Sequence, residues 1–177
     1  MFDKKEGCYF YLVYSLENSF ELERTISLCA EEINFLYLKI GIIKNKSSIT
    51  NSVNMKYVTE LDAIKETIDQ NTFNLDSIII DMDISGYWKE ILKVSQIVSN
   101  YRTKYPIHFI IRTSRLDSFI TSDEFIKITQ TIKVTEIFKL KREGFLRADG
   151  SDEMTTFENF KLGFIREKKL EQILDKK

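Results

Sequence analysis

In the stretch LDSIIIDMDISGYW (75–88) an apolar run ends in Asp81, and Asp83 follows two places later. A strand that finishes on two carboxylates can hold a metal ion, accept a phosphoryl group, or keep the remains of such a site. Taken singly, each is also explained as a cap on the next helix, accepting loop N–H bonds. Other residues with chemistry are sparse. His108, the single histidine, lies inside the apolar run IHFII and reads as a buried or edge-packed side chain, not a general base. Cys8 and Cys29 have neither zinc-site nor disulfide spacing; Cys29 reads as a small core residue and Cys8 as a strand-edge thiol. RADGSDE (147–153) gathers acids around a glycine but lacks the alternating ligands and closing glutamate of a calcium loop, so it reads as a turn. Six scattered glycines build no phosphate cradle, and SLENS is too sparse for a flavin phosphate loop. No cofactor and no metal are expected.

The elements that must position these residues can be read from periodicity. Tyr9 to Tyr14 is an aromatic and branched run, too short for a helix, and reads as a buried strand. Asn18 or Ser19 can cap a helix whose Leu22, Ile26, Cys29 and Ile33 share a face. A second strand is expected over 37–44, then a polar loop (NKSSITNSVN), a short extended piece at 55–58, and a helix with Leu61, Ile64 and Ile68 on one stripe. The third strand is 77–81. A helix over 88–105, with Trp88, Ile91, Leu92, Val98 and Tyr101 inward, stops at Pro106, the only proline. A strand over 107–111, a helix over 123–133 and a strand over 136–140 follow. A loop insertion at 142–156 precedes a final helix over 157–175.

Strand and helix alternate five times, and parallel neighbours require crossovers. The expected fold is therefore one α/β domain over 1–177, a flavodoxin-like five-stranded parallel sheet with helices on both faces. The third and fourth strands are almost wholly apolar, as strands covered on both faces should be. Ligands in such folds bind at the carboxyl ends of strands. Asp81 and Asp83 stand at such an end, as do Thr113 after the fourth strand and Lys139 and Lys141 around the end of the fifth.

Composition narrows the function classes. Apolar content of 43% and charged content of 30% are ordinary for a globular protein, and a net charge of -1 invites neither nucleic acid nor acidic lipid. The basic C-terminus REKKLEQILDKK is interrupted by acids and reads as a solvated helix face. No apolar run nears the roughly 20 residues that cross a bilayer. The N-terminus lacks signal-peptide features, and with two unpatterned cysteines the expected compartment is the cytoplasm.

The stretch KYVTELDAIKETIDQNTFNLDSIIIDMDISG resembles the second helix and third strand of response-regulator receiver domains. The resemblance implies that Asp81 is the phosphoacceptor, that Asp83 lies where a backbone carbonyl helps bind magnesium, and that Thr113 and Lys139 (or Lys141) hold the transferred oxygens. Attack on phosphorus needs a divalent ion to neutralise the incoming anion. Receivers supply further carboxylates as an acidic pair after the first strand. Here LVYSLEN places Tyr14 and Ser15 there, with Glu17 as a late substitute, and Ser85 replaces the usual proline. Magnesium demands hard oxygen ligands in strict geometry, so the expectation is a non-catalytic pseudo-receiver, with a phosphorylatable receiver as the alternative.

IIIDMDISG and YPIHFIIRTSRLDSF also resemble the receiver-like wing domain at the N-terminus of bacterial ornithine, lysine and arginine decarboxylases. That resemblance implies a stand-alone assembly module, since no Schiff-base lysine motif or pyridoxal-phosphate domain accompanies it. On either reading the expected activity is binding a protein partner or a second copy, without nucleic acid or membrane. The expected surface is the helix over 123–133, the strand over 136–140 and the final helix, through Phe138, Phe160, Phe164 and Ile165. Phe164 and Ile165 diverge by about 100° on a helix, so one of them should face outward.

Overall fold

The computed structural model describes residues 7–14, 20–41, 53–84, 89–148, 151, 153–162 and 173–174. Eight strands among them form one sheet: β1 (Cys8–Tyr14), β2 (Phe35–Ile40), β3 (Asn54–Val58), β4 (Ser77–Asp83), β5 (Ile107–Thr113), β6 (Glu136–Lys141), β7 (Gly144–Arg147) and β8 (Met154–Thr156). The helices are α1 (Phe20–Cys29), α2 (Ala63–Asp69), α3 (Lys89–Val98), α4 (Leu116–Ile120) and α5 (Asp123–Ile132), and a further helical segment is described over 157–162. The sheet order is β3-β2-β4-β5-β1-β6-β7-β8. Strands β1 to β6 pair in parallel, and β7 and β8 extend the β6 edge antiparallel.

Chain direction across this order decides which face each helix covers. The step from β1 to β2 runs one way along the sheet, whereas β3 to β4, β4 to β5 and β5 to β6 run the other. Right-handed crossovers then put α1 on one face and α2, α3 and α5 on the opposite face. The packing agrees. Phe10, Leu38, Ile80 and Phe109 meet Ile64, Val94 and Ile128 in one layer. Tyr11, Tyr37, Ile79 and Ile110 meet Leu22, Ile26 and Cys29 in the other, with Phe157 and Phe160 packed against them. Successive strand residues alternate between these layers, so SIII of β4 is apolar without a break because both of its sides are covered.

Local signals account for the helix ends. Ser122 caps α5, its Oγ accepting the Phe125 N–H at 3.1 Å. The helix stops at Lys133, which takes the left-handed conformation at φ 49. After α3 the chain makes a 3-10 turn at Ser99–Tyr101 before Pro106, since the residue before proline disfavours helix.

The α/β class, a largely parallel sheet and helices on both faces are as expected. The count of five strands is not. The extended piece at 54–58 pairs with β2 as an edge strand, and the region 142–156, expected as a loop insertion, contains the β7–β8 hairpin. Gly144 permits that hairpin, because a Cβ there would stand 2.1 Å from the Thr155 carbonyl oxygen. The order also departs from the receiver-like arrangement, in which the first strand lies beside the second. Here β1 lies between β5 and β6. Alternation of strand and helix dictates parallel pairing but carries no information on which strands become neighbours. The second strand begins at Phe35, and β4 runs two residues past Asp81. Asn18, Ser19, Trp88 and most of NKSSITNSVN lie outside the described residues.

Candidate functional site

Asp81 is inside β4, not at its end: it pairs with Lys39 of β2 and Ile110 of β5, and the ladder continues to Asp83. Because it alternates with Ile80, its side chain points with Ile79 toward the α1 face. Arg112 of β5 sits opposite Asp83 in register, one diagonal step from Asp81 on that same face. The guanidinium grips the carboxylate with two parallel bonds, Nε to Oδ1 at 2.9 Å and Nη2 to Oδ2 at 3.0 Å. Tyr37 Oη donates to Oδ2 as well. Glu23 of α1 closes the group, with its Oε1 3.6 Å from Arg112 Nη2.

Burial makes this cluster stiff. The Asp81 side chain is 1% exposed and that of Arg112 14%. Burial works against the guanidinium charge, and the Asp81 carboxylate more than offsets it, raising the Arg112 pKa above the ordinary arginine value. Burial pushes the Tyr37 phenol well up, and the Asp81 charge adds to that. Tyr37 therefore stays protonated and donates. A bidentate arginine–carboxylate pair uses both carboxylate oxygens, so the group in hand is a structural ion pair that ties β4 to β5 and, through Glu23, to α1.

The other residues singled out from sequence do not gather around Asp81. Asp83 is exposed at the end of β4. Thr113 is buried, and its Oγ1 accepts the Arg115 N–H at 3.1 Å. It alternates with Arg112, and so points to the face opposite Asp81. Lys139 alternates with Phe138 and also faces away from α1, on β6, three strand positions from β4. At about 4.8 Å per strand that is roughly 14 Å. Lys141, the alternative, is exposed further along the same strand. Glu17, Phe164 and Ile165 lie outside the described residues. Phe138 is buried and stacked on Tyr11 at 5.4 Å, and Phe160 packs against Tyr11 and Phe145. Phe138 belongs to the α1-side core, which corrects its expected place on an interaction surface, and Phe160 is half-buried against that core. Aromatic residues in that stretch fill the layer that the β7 hairpin extends.

Arg112, Tyr37 and Glu23 were missed from sequence. The available signal was Arg112 itself, a charge inside the apolar strand IHFIIRT that has to find a carboxylate. His108, expected as buried, lies between Tyr9 and Tyr11 with ring centroids at 5.1 and 5.8 Å, and shares a 2.9 Å hydrogen bond with Tyr11 Oη. Cys8 and Cys29 are free and buried, and burial pushes the Cys29 thiol up to about 12. Cys8 is therefore a core residue where a strand-edge thiol was expected. Among the described residues no three His, Cys, Asp or Glu converge as a metal site, and no helix is long and apolar enough to cross a membrane.

Burial also makes stability depend on pH. It holds His108 down to about 3, whereas an unfolded histidine titrates near about 6.5. The native state stays neutral while the unfolded chain binds a proton, so this contribution is whole above about pH 6.5 and is lost as pH falls. Urea unfolding should show about 2 kcal/mol lost to His108 between about pH 7 and 5. In His108→Gln that increment should vanish.

In fold the chain is similar to the Pyrococcus horikoshii OT3 protein studied as Project ID PH0250, with 11% identity and a TM-score of 0.51 over 88% of this chain and 94% of that one. It is also similar to the C-terminal domain of the coenzyme A biosynthesis bifunctional protein CoaBC, with 12% identity and a TM-score of 0.43 over 97% of this chain and 100% of that one. No family model matches the chain, and no curated protein matches it in sequence. What is shared with the Pyrococcus protein at this identity is the α/β fold alone.

Proposed function

We propose that this chain is a non-catalytic regulatory or protein-interaction module that acts through its surface, by binding a protein partner or a second copy. One observation carries the reading: the carboxylate best placed by sequence to accept a phosphoryl group is buried and held by Arg112 and Tyr37. Phosphoryl transfer to aspartate requires an accessible oxygen in line with phosphorus, a metal ion, and cationic and hydroxyl partners on the same side. Thr113 and Lys139 face the other side of the sheet. The receiver resemblance supports the reading through the Asp-ended strand and the doubly covered sheet, while the strand order weakens descent from receivers, so the proposal leans on the closed carboxylate.

Incubation with acetyl phosphate and magnesium is therefore expected to leave the intact mass unchanged. A mass gain of one phosphoryl group that disappears in Asp81→Asn would establish the phosphorylatable-receiver alternative instead.

A further inference from the structure

Among the described residues β3 has a neighbour on one side alone, β2. The Gly41 N–H donates to the Val58 carbonyl at 3.1 Å, which fixes the direction of the strand's main-chain groups. Asn54, Lys56 and Val58 turn theirs toward β2, and Met55 and Tyr57 turn theirs to the open side. Side chains alternate between the two faces of the sheet. Met55 packs against the α1-side layer, and Tyr57 follows it on that face with 48% of its surface exposed. Val58 is buried in the α2-side layer, and Lys56 stands exposed on that face. An edge that turns N–H and C=O groups outward is a template for another strand.

Register and charge select the strand that fits. A lysine on an edge commonly guards against pairing, and Lys56 enters no ion pair among the described residues. If two β3 strands paired antiparallel with Lys56 on the axis, like charges would stand directly opposite, which is unfavourable. Moving the axis to Tyr57 removes that conflict. Tyr57 then exchanges main-chain bonds with its own copy, Met55 does so with Thr59, and the two Tyr57 rings meet on the α1 side. On the other face Lys56 lies opposite Val58 of the second copy and diagonal to its Glu60, which is exposed in the turn after β3. The two-fold axis makes that contact twice. Asp62, Glu66 and Asp69 follow, with Lys65 as the sole base over 59–69, so each lysine enters an acidic field. One strand thus carries both halves of every contact, which a foreign strand would have to supply.

We propose that the protein forms a two-fold dimer by antiparallel pairing of β3 with β3 of a second copy, centred on Tyr57, so that one sheet runs through both. This rests on the interaction-module reading and names its partner as a second copy of this chain. The contact is isologous: both copies use the same edge, so it closes at the dimer.

Sedimentation velocity over a concentration series, combined with charge exchange, tests it. Wild type should pass from monomer to dimer and no further. Lys56→Glu and Glu60→Lys should each weaken dimerisation about tenfold or more, since each turns two attractive contacts into repulsive ones. Both side chains are exposed, so melting curves should stay at wild type. The variant carrying both changes should dimerise as wild type does. An equimolar mixture of the two single variants should give a mixed dimer, whose contacts again join opposite charges. Hydrogen exchange by NMR locates the seam: the Met55 and Tyr57 amides should slow as concentration rises. A monomeric wild type, single variants that dimerise undiminished, a doubly changed variant that stays monomeric, or amides at Met55 and Tyr57 that ignore concentration each overturns the β3 pairing. None of these touches the module reading, which falls separately if Asp81 accepts phosphate.

Discussion

Arg112→Met is expected to destabilise the protein by about 3–5 kcal/mol, the scale on which breaking a buried ion pair leaves a charge uncompensated. The geometry explains the size. Asp81 would keep only the Tyr37 hydroxyl, and the Glu23 carboxylate on α1 would face it without a cation between them. The carboxylates would then have to protonate or draw in water, and α1 would lose one of its ties to the sheet. Replacing both members, as in Asp81→Leu with Arg112→Met, should recover part of the loss, because no charge is then left uncompensated between β4 and β5. The Tyr37 hydroxyl still loses its Asp81 acceptor, and Glu23 its arginine. Urea unfolding of the two single variants and the double variant gives the coupling as a double-mutant cycle. Additive losses would mean that the two side chains do not act on each other.

Phe109→Ala is expected to cost about 3–5 kcal/mol, the range for removing a buried aromatic ring. Phe109 has no exposure, lies on β5 in the middle of the sheet, and meets Phe10 edge to face at 5.1 Å. Close-packed neighbours from β1 and the helices cannot collapse into the space a ring leaves. The contrast is Phe73→Ala, where the ring is 86% exposed and the loss should stay within about 0.5 kcal/mol. Equal losses at the two positions, measured by urea midpoints at unchanged slope, would contradict the assigned layers.

Particular residues show how far this fold can be read without coordinates. Ile64 and Ile68, or Leu22, Ile26 and Cys29, recur at helical spacing, and each set turned out to be the buried stripe of its helix. Unbroken apolar runs such as SIII and IHFII likewise betray strands covered on both sides. The β3 edge escaped because one side of it faces solvent, and Met55, Lys56 and Tyr57 show no clean alternation. The β7 and β8 strands are too short to carry a period, at four and three residues. The candidate site was half legible. Asp81 stood out by type, but its role depends on Arg112 and Tyr37, far along the chain and adjacent only through pairing. A charge at the end of an apolar run reads as a strand end when the sheet continues two residues further, and that shift buries the carboxylate.

The closed state of Asp81 can be observed directly through the Arg112 Nε–H proton by NMR. Held against Oδ1, that proton should resonate apart from the exposed arginines and exchange slowly with solvent. Addition of magnesium with beryllofluoride, a phosphoryl mimic that captures accessible aspartates, should leave it and the β4 and β5 amides unmoved. Saturable loss of the Arg112 signal with shifts along β4, absent in Asp81→Asn, would show an open acceptor and contradict the account.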